Sequence, residues 1–323
     1  MQTRTLPSWR LAGIEIRPDA SVLVLIALVA WAFHGVFRAD QGPVVALLLA
    51  AIGALLVVAT TLAHELGHAL EARSRGMHVD AITLLLFGGV TEMHADGQNA
   101  RDELAVAAVG PWVSLVCAAV FGLLATFAED LVPTAAAPAV GQLAGVLGWW
   151  NLLLAAFNLI PGAPLDGGRV LRALLWMLLG DRLRALRISV RAGQLLGAVL
   201  LVLGAATLVR GGARASLVAA AFALSGVFLI RAAAAELRQA ELHAALEGWY
   251  VAELLARVPG SPHPDGEELP EVTPEDDLHT LIEAFQGDHA HVRVRSGPDL
   301  VTVWDEADVA RFIARLRRGE VVR

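Results

Sequence analysis

The chain has 323 residues, 56% of them hydrophobic and 18% charged, with a mean hydropathy of +0.59. Soluble domains run nearer 45–50% apolar and about 25% charged, so an ordinary soluble globular protein is excluded. The formal net charge of −7 is uneven: 17 acidic residues and 8 arginines lie between 240 and 323, which argues against nucleic acid as a partner.

The first 18 residues hold Arg4, Arg10 and Arg17 but no apolar core. They do not resemble a cleaved signal peptide, so the first hydrophobic run is expected to stay in the protein. That run, ASVLVLIALVAWAFHGVF at about 20–37, predicts a first membrane span, since a crossing helix takes roughly 20 apolar residues. A second runs from near Gly42 through VVALLLAAIGALLVVATTLAHELGHALEA to Gly76. The segment AITLLLFGGVTEM, 81–93, is too short to cross and predicts two strands about a Gly-Gly turn. Open strand edges do not sit in lipid, so this hairpin must lie against protein or line a watery cleft.

A third span is expected at about 103–128, kinked at Gly110-Pro111. Cys117 within it is the single cysteine, so no intrachain disulfide can form. A fourth span covers about 140–160 and stops at Pro161-Gly162. LDGGRVLRALLWMLLG follows as a further segment at membrane level, and spans five and six cover about 188–209 and 215–235. Arginines after span two, before span five and around the end of span six place both termini in the cytoplasm of a multi-pass cell-membrane protein. Arg210 and Arg214 fall on the opposite side.

Beyond about Leu246 the composition turns soluble. A connector, SPHPDGEELPEVTP, precedes an amphipathic helix EDDLHTLIEAF, two strands HVRVRS and LVTVW, and a closing helix DEADVARFIARLRRG. The expected division is a membrane-embedded domain over 1–240 and a small α/β domain over 241–323.

The strongest local signal is His64-Glu65-Leu66-Gly67-His68. Residues i and i+4 share a helix face, so both imidazoles can reach one metal ion, with Glu65 beside them as a proton acceptor. An accidental match in a soluble helix is the bland reading. Here the motif ends a membrane stretch, where ionisable side chains are costly and usually functional. Catalytic zinc takes three protein ligands. His34, His78 and His94 are weak choices for the third. Asp166, set among prolines and glycines in NLIPGAPLDGGR, is the better one, because a broken backbone at membrane depth is tolerated where it lines a cavity.

HELGH in a membrane helix, an FGG hairpin, an internal Gly-Pro and a distal NxxPxxxLDGGR together resemble the site-2 protease family, intramembrane zinc metalloproteases, over residues of about 10–240. The resemblance implies a polytopic α-helical membrane protein of six helices with a membrane-associated β-hairpin. It implies zinc held by His64, His68 and Asp166, with Glu65 as general base. It also implies that Asn158 donates to the substrate backbone or the developing oxyanion, and that Phe87, Gly88, Gly89 and Val90 form an edge that accepts an unwound substrate strand. Expected substrates are membrane-anchored proteins in the bilayer, anti-sigma factors among them, cut in regulated intramembrane proteolysis.

The tail, with Thr273-Pro274-Glu275-Asp276-Asp277 and Asp305-Glu306-Ala307-Asp308, resembles a single cystathionine-β-synthase-type (CBS) module. A full nucleotide pocket in such modules takes two copies. The tail is therefore read as joining a homodimer through about 250–318, with adenine-nucleotide binding as the secondary reading. The competing function is a non-enzymatic zinc transporter or sensor, which would spread its ligands along several spans.

Overall fold

The computed structural model describes residues 7–85, 88–94, 99–132, 135–246, 248–258, 269–285, 291–296 and 299–317. It separates into two compact units, Met1–Glu236 and Leu237–Arg323.

The first unit opens with strands β1 (Trp9–Leu11) and β2 (Ile14–Pro18). Ala12 and Gly13 between them both take positive φ, 52° and 76°, as a tight two-residue hairpin turn demands. Along β2, Ile14 and Ile16 are buried and Glu15 and Arg17 are not, so one face is committed to a core. Asp19 accepts the Ser21 amide at 2.8 Å and starts helix α1 (Ser21–Phe37). Helix α2 (Pro43–Ser74) begins with proline in its first turn, where the missing amide costs nothing. Strands β3 (His78–Leu85) and β4 (Gly88–His94) follow.

The four strands form one sheet in the order β1-β2-β3-β4. β2 and β3 are parallel, and α1 and α2 make the crossover between them. The expected hairpin is thus not an isolated pair. β3 is central, and among the described strands only the outer side of β4 and that of β1 are edges. Ile14, Ile16, Val79, Ile82 and Leu84 of the sheet pack with Val22 of α1 and Ala69 and Ala72 of α2. This cluster anchors the end of α2 that carries the histidine pair.

Helix α3 (Ala100–Thr126) is capped by Asn99, whose side chain accepts from the amides of Arg101 and Asp102. It continues through Pro111 as a single helix, so the proline does not divide it. After the short α4 (Ala128–Leu131) come α5 (Ala137–Asn158), α6 (Asp166–Leu179), α7 (Arg182–Arg210) and α8 (Ala213–Leu246). Among the described residues five helices, α2, α3, α5, α7 and α8, are long and apolar enough to cross a membrane. The sixth expected span is α1, a shorter apolar helix whose 17 residues reach about 26 Å at 1.5 Å per residue, at the lower bound of a crossing segment.

The second unit has a three-stranded sheet, β5 (Glu271–Val272), β6 (His291–Ser296) and β7 (Asp299–Asp305), in that order. Helices α9 (Val251–Leu255), α10 (Leu278–Phe285) and α11 (Glu306–Arg317) accompany it. Its core gathers Leu246, Trp249, Leu254, Leu281, Val292, Val294, Trp304 and Phe312. Most of the Pro-rich connector, 261–268, lies outside the described residues.

Candidate metal centre

α2 sets His64 and His68 one turn apart, with ring centroids 4.9 Å apart. Asp166, the first residue of α6, reaches across to both. Its Oδ2 is 3.0 Å from His64 Nε2 and its Oδ1 is 3.2 Å from His68 Nε2. The two Nε2 atoms are themselves 3.2 Å apart. All three residues are buried, 3%, 3% and 8% exposed, and among the described residues they form one group able to hold a metal ion.

The opposite ring nitrogens are already engaged. His68 Nδ1 lies 2.7 Å from the Val106 carbonyl oxygen, and His64 Nδ1 lies 2.9 Å from Ser114 Oγ. A carbonyl can only accept, so His68 carries its hydrogen on Nδ1, which leaves Nε2 a lone pair when the ring is neutral. That lone pair faces a carboxylate oxygen and another imidazole nitrogen. Acceptors pointed at one another need a cation between them, a proton or a metal ion. The spacings are compatible with a metal: tetrahedral zinc with bonds of 2.0–2.1 Å has ligand–ligand edges of about 3.3 Å, close to the 3.0–3.2 Å seen here.

Space for an ion is kept by α3. A Cβ on Gly110 would stand 2.1 Å from His68 Nε2 and 2.7 Å from His64 Nε2. Val106, Gly110 and Ser114 recur every four residues, on one face of α3. The sequence reading took Gly110 as part of a kink and passed over Val106 and Ser114. The period-four spacing of small residues facing the HELGH helix is the signal that was available.

Asp166 owes its place to the turn before it. Ala163 N donates to the Ser189 carbonyl at 3.1 Å, and Ser189 Oγ donates to the Gly168 carbonyl at 2.8 Å. A Cβ on Gly193 would stand 1.8 Å from the Ala163 carbonyl oxygen, so the turn lies directly on the backbone of α7. Neither Ser189 nor Gly193 was singled out from sequence.

Of the other expected residues, Glu65 follows His64 on α2, half-buried and outside the three converging atoms. Asn158 ends α5, and its side-chain amide donates to the Leu154 carbonyl at 3.1 Å. It is not joined to the three ligands. Phe87 lies outside the described residues. Gly88, Gly89 and Val90 begin β4, opposite Leu85, Leu84 and Thr83. The weaker candidates stand apart: His34 is in the last turn of α1, and His78 pairs with Asp80 at 3.2 Å.

Residues 49–203 match peptidase family M50. The matched stretch takes in His64, His68, Asp166 and the α3 face that surrounds them. Rip3 of Mycobacterium tuberculosis, provisionally named a zinc metalloprotease, is 42% identical over 211 residues, 64% of this chain and 53% of its own length. A Synechocystis protein, also provisionally named a zinc metalloprotease, is 37% identical over 218 residues, 67% of this chain and 54% of its own. A zinc metalloprotease of Methanocaldococcus jannaschii is 33% identical over 150 residues, 46% of this chain and 42% of its own. The chain thus spans about half the length of the curated relatives it matches. A solved structure, the site-2 protease from Methanocaldococcus jannaschii, superposes with a TM-score of 0.51 at 24% identity. It covers 73% of this chain and 95% of that one, and supports the fold.

Proposed function

We propose that this protein is a zinc metalloprotease that cuts membrane-anchored proteins within the bilayer. The carrying observation is the trio of converging potential ligand atoms on His64, His68 and Asp166, buried among helices long enough to span a membrane. The M50 relationship and the relatives' names make zinc the ion of choice.

Zinc would supply Lewis acidity, polarising a carbonyl and making water nucleophilic near neutral pH. The remaining work belongs to the chain. Glu65, next to the ligands but not one of them, takes the proton from the attacking water and hands it to the leaving nitrogen. Val106 and Ser114 hold the imidazole rings in orientation. Asn158 would turn its amide from Leu154 toward the substrate carbonyl. A substrate helix hides its amides and must unwind before attack. The outer edge of β4, from Gly88 to Val90, is the place for the unwound segment to add as a strand. Residues 84 and 85 of β3 are already paired to β4, which narrows this role to β4 alone.

The reading extends to a protease domain over 1–240 with both termini cytoplasmic in the cell membrane, and to a CBS-like regulatory domain over 241–323. That second domain would pair two chains. Regulatory proteins such as anti-sigma factors are the proposed substrates. No observation favours a transporter or sensor.

In detergent-purified protein we expect one zinc per chain by elemental analysis. Glu65→Gln should keep that zinc and lose roughly 10²–10⁴-fold in cleavage of a membrane-anchored substrate. Near-wild-type cleavage by that variant would sink the assignment of Glu65, and folded protein without zinc would sink the metal centre.

A further inference from the structure

Helix α6 delivers Asp166; its first residues lie close against the preceding turn, and beyond them it buries little apolar side chain that could fix its position. Its buried residues are Asp166, Gly167, Gly168, Arg172 and Ala173. Arg172 is the only long side chain among them, and it is charged. A 14-residue helix held by apolar packing would bury leucines. The leucines of α6 instead sit at partly or largely exposed positions, Leu178 at 80%.

Arg172 closes on Glu103 of α3 through Nε, and its Nη1 lies 2.8 Å from Glu236 Oε1 of α8. Glu103 is 2% exposed, and its second oxygen lies 3.7 Å from Arg182 Nε, an ion-pair distance but not a hydrogen bond. A buried guanidinium between two carboxylates in fixed directions is a geometric lock, since the guanidinium fork is rigid and always charged. The lock sits between α6, which carries Asp166, and α3, whose Val106 and Ser114 contact the two imidazoles. Glu103 is one turn from Val106, whose carbonyl orients His68. Arg172 is six residues, about 9 Å of helix, from Asp166.

We propose that Arg172, through Glu103, is a positioning residue for the metal centre: it sets the axial and rotational register of α6 against α3, and so places the Asp166 carboxylate on both imidazoles. This rests on the metal-site reading above. Removing Arg172 should leave the two histidines in place and loosen the third ligand. Partners one step removed from a metal typically change affinity by about 10–100-fold.

The test measures zinc release from the full-length protein in detergent into a chromogenic chelator, below the melting temperature of every variant. Arg172→Gln should release zinc at least roughly 10-fold faster than wild type. Because Arg172→Gln alone strands a buried carboxylate and risks misfolding, the neutral pair Glu103→Gln with Arg172→Gln is measured beside it, and so is Arg172→Lys. All three should show the faster release. Leu147→Ala, in the fully buried core of α1, α2 and α5, serves as a control that lowers stability without touching the lock. It should release zinc as wild type does. Wild-type release from the folded neutral pair, or equal acceleration by Leu147→Ala, would overturn the positioning role. Absence of zinc from wild type would instead remove the metal-site reading on which it stands.

Discussion

Both units bury apolar side chains, but they differ in the polar groups they bury with them. Every buried polar or charged side chain among the described residues, from Asp19 to Ser189, lies in the first unit. That unit also turns Trp31, Leu55, Leu178 and Leu195 outward, all more than half exposed. The second unit closes Trp304, Leu281 and Val292 into an apolar core at 0% exposure, with no buried polar or charged side chain among its described residues. In water the second pattern is the stabilising one, about 25 cal/mol per Å² of apolar area removed. In lipid an exposed leucine costs nothing, and helices are joined by small residues, close packing and interior polar contacts. The first unit therefore can keep two imidazoles, three buried carboxylates and a guanidinium in its interior, where chemistry can use them.

The contrast can be broken most forcefully at Gly110. Gly110→Ala adds one methyl, trivial in most helices, but here aimed at His68 Nε2. Zinc content should fall to background while the protein remains in the membrane fraction, and a zinc-replete variant would refute the reading of Gly110 as the space for the ion. The second unit should fail by the ordinary rule instead. Trp304→Ala removes a fully buried ring and should cost about 3–5 kcal/mol, seen as proteolytic opening of the C-terminal unit in full-length protein with zinc per chain unchanged. Loss of zinc in that variant would show that the units do not keep separate accounts. The smallest effect sharpens the point within the first unit. Leu147→Ala, at 0% exposure, should cost about 2–5 kcal/mol. Leu55→Ala, at 59%, should stay within about 0.5 kcal/mol when unfolding is followed in bilayers. Equal costs would mean that the outward leucines are not facing lipid.

Sequence carried the metal centre further than the architecture around it. His64 and His68 were legible because a spacing of four is a statement about one helix face. Asp166 was legible because a lone carboxylate between Pro164 and Gly167 has no apolar reason to be there. The groups behind these ligands left weaker marks. The Val106 carbonyl belongs to the backbone and has no residue signature. Glu103 and Arg172 are 69 residues apart, and nothing local announces a pair at that distance. β1 and β2 escaped for a similar reason. They are three and five residues long, and the pairing that fixes β2 is parallel, made across two intervening helices. In the tail α10, β6, β7 and α11 were placed well, since their alternation is local, whereas the five-residue α9 was not expected and the two-residue β5 fell within the expected connector.

The metal ligands come from distant parts of the chain: His64 and Asp166 are 102 residues apart. A chain made from its N-terminus presents both histidines long before the aspartate exists. Through that interval α2 carries two of the three converging donors without the Asp166 carboxylate, an incomplete set for a metal ion. The set is complete only after α3 and α5 have been made and α6 has docked with its carboxylate turned inward. The candidate metal centre is therefore completed late in biogenesis, only once every segment from α2 to α6 has been made.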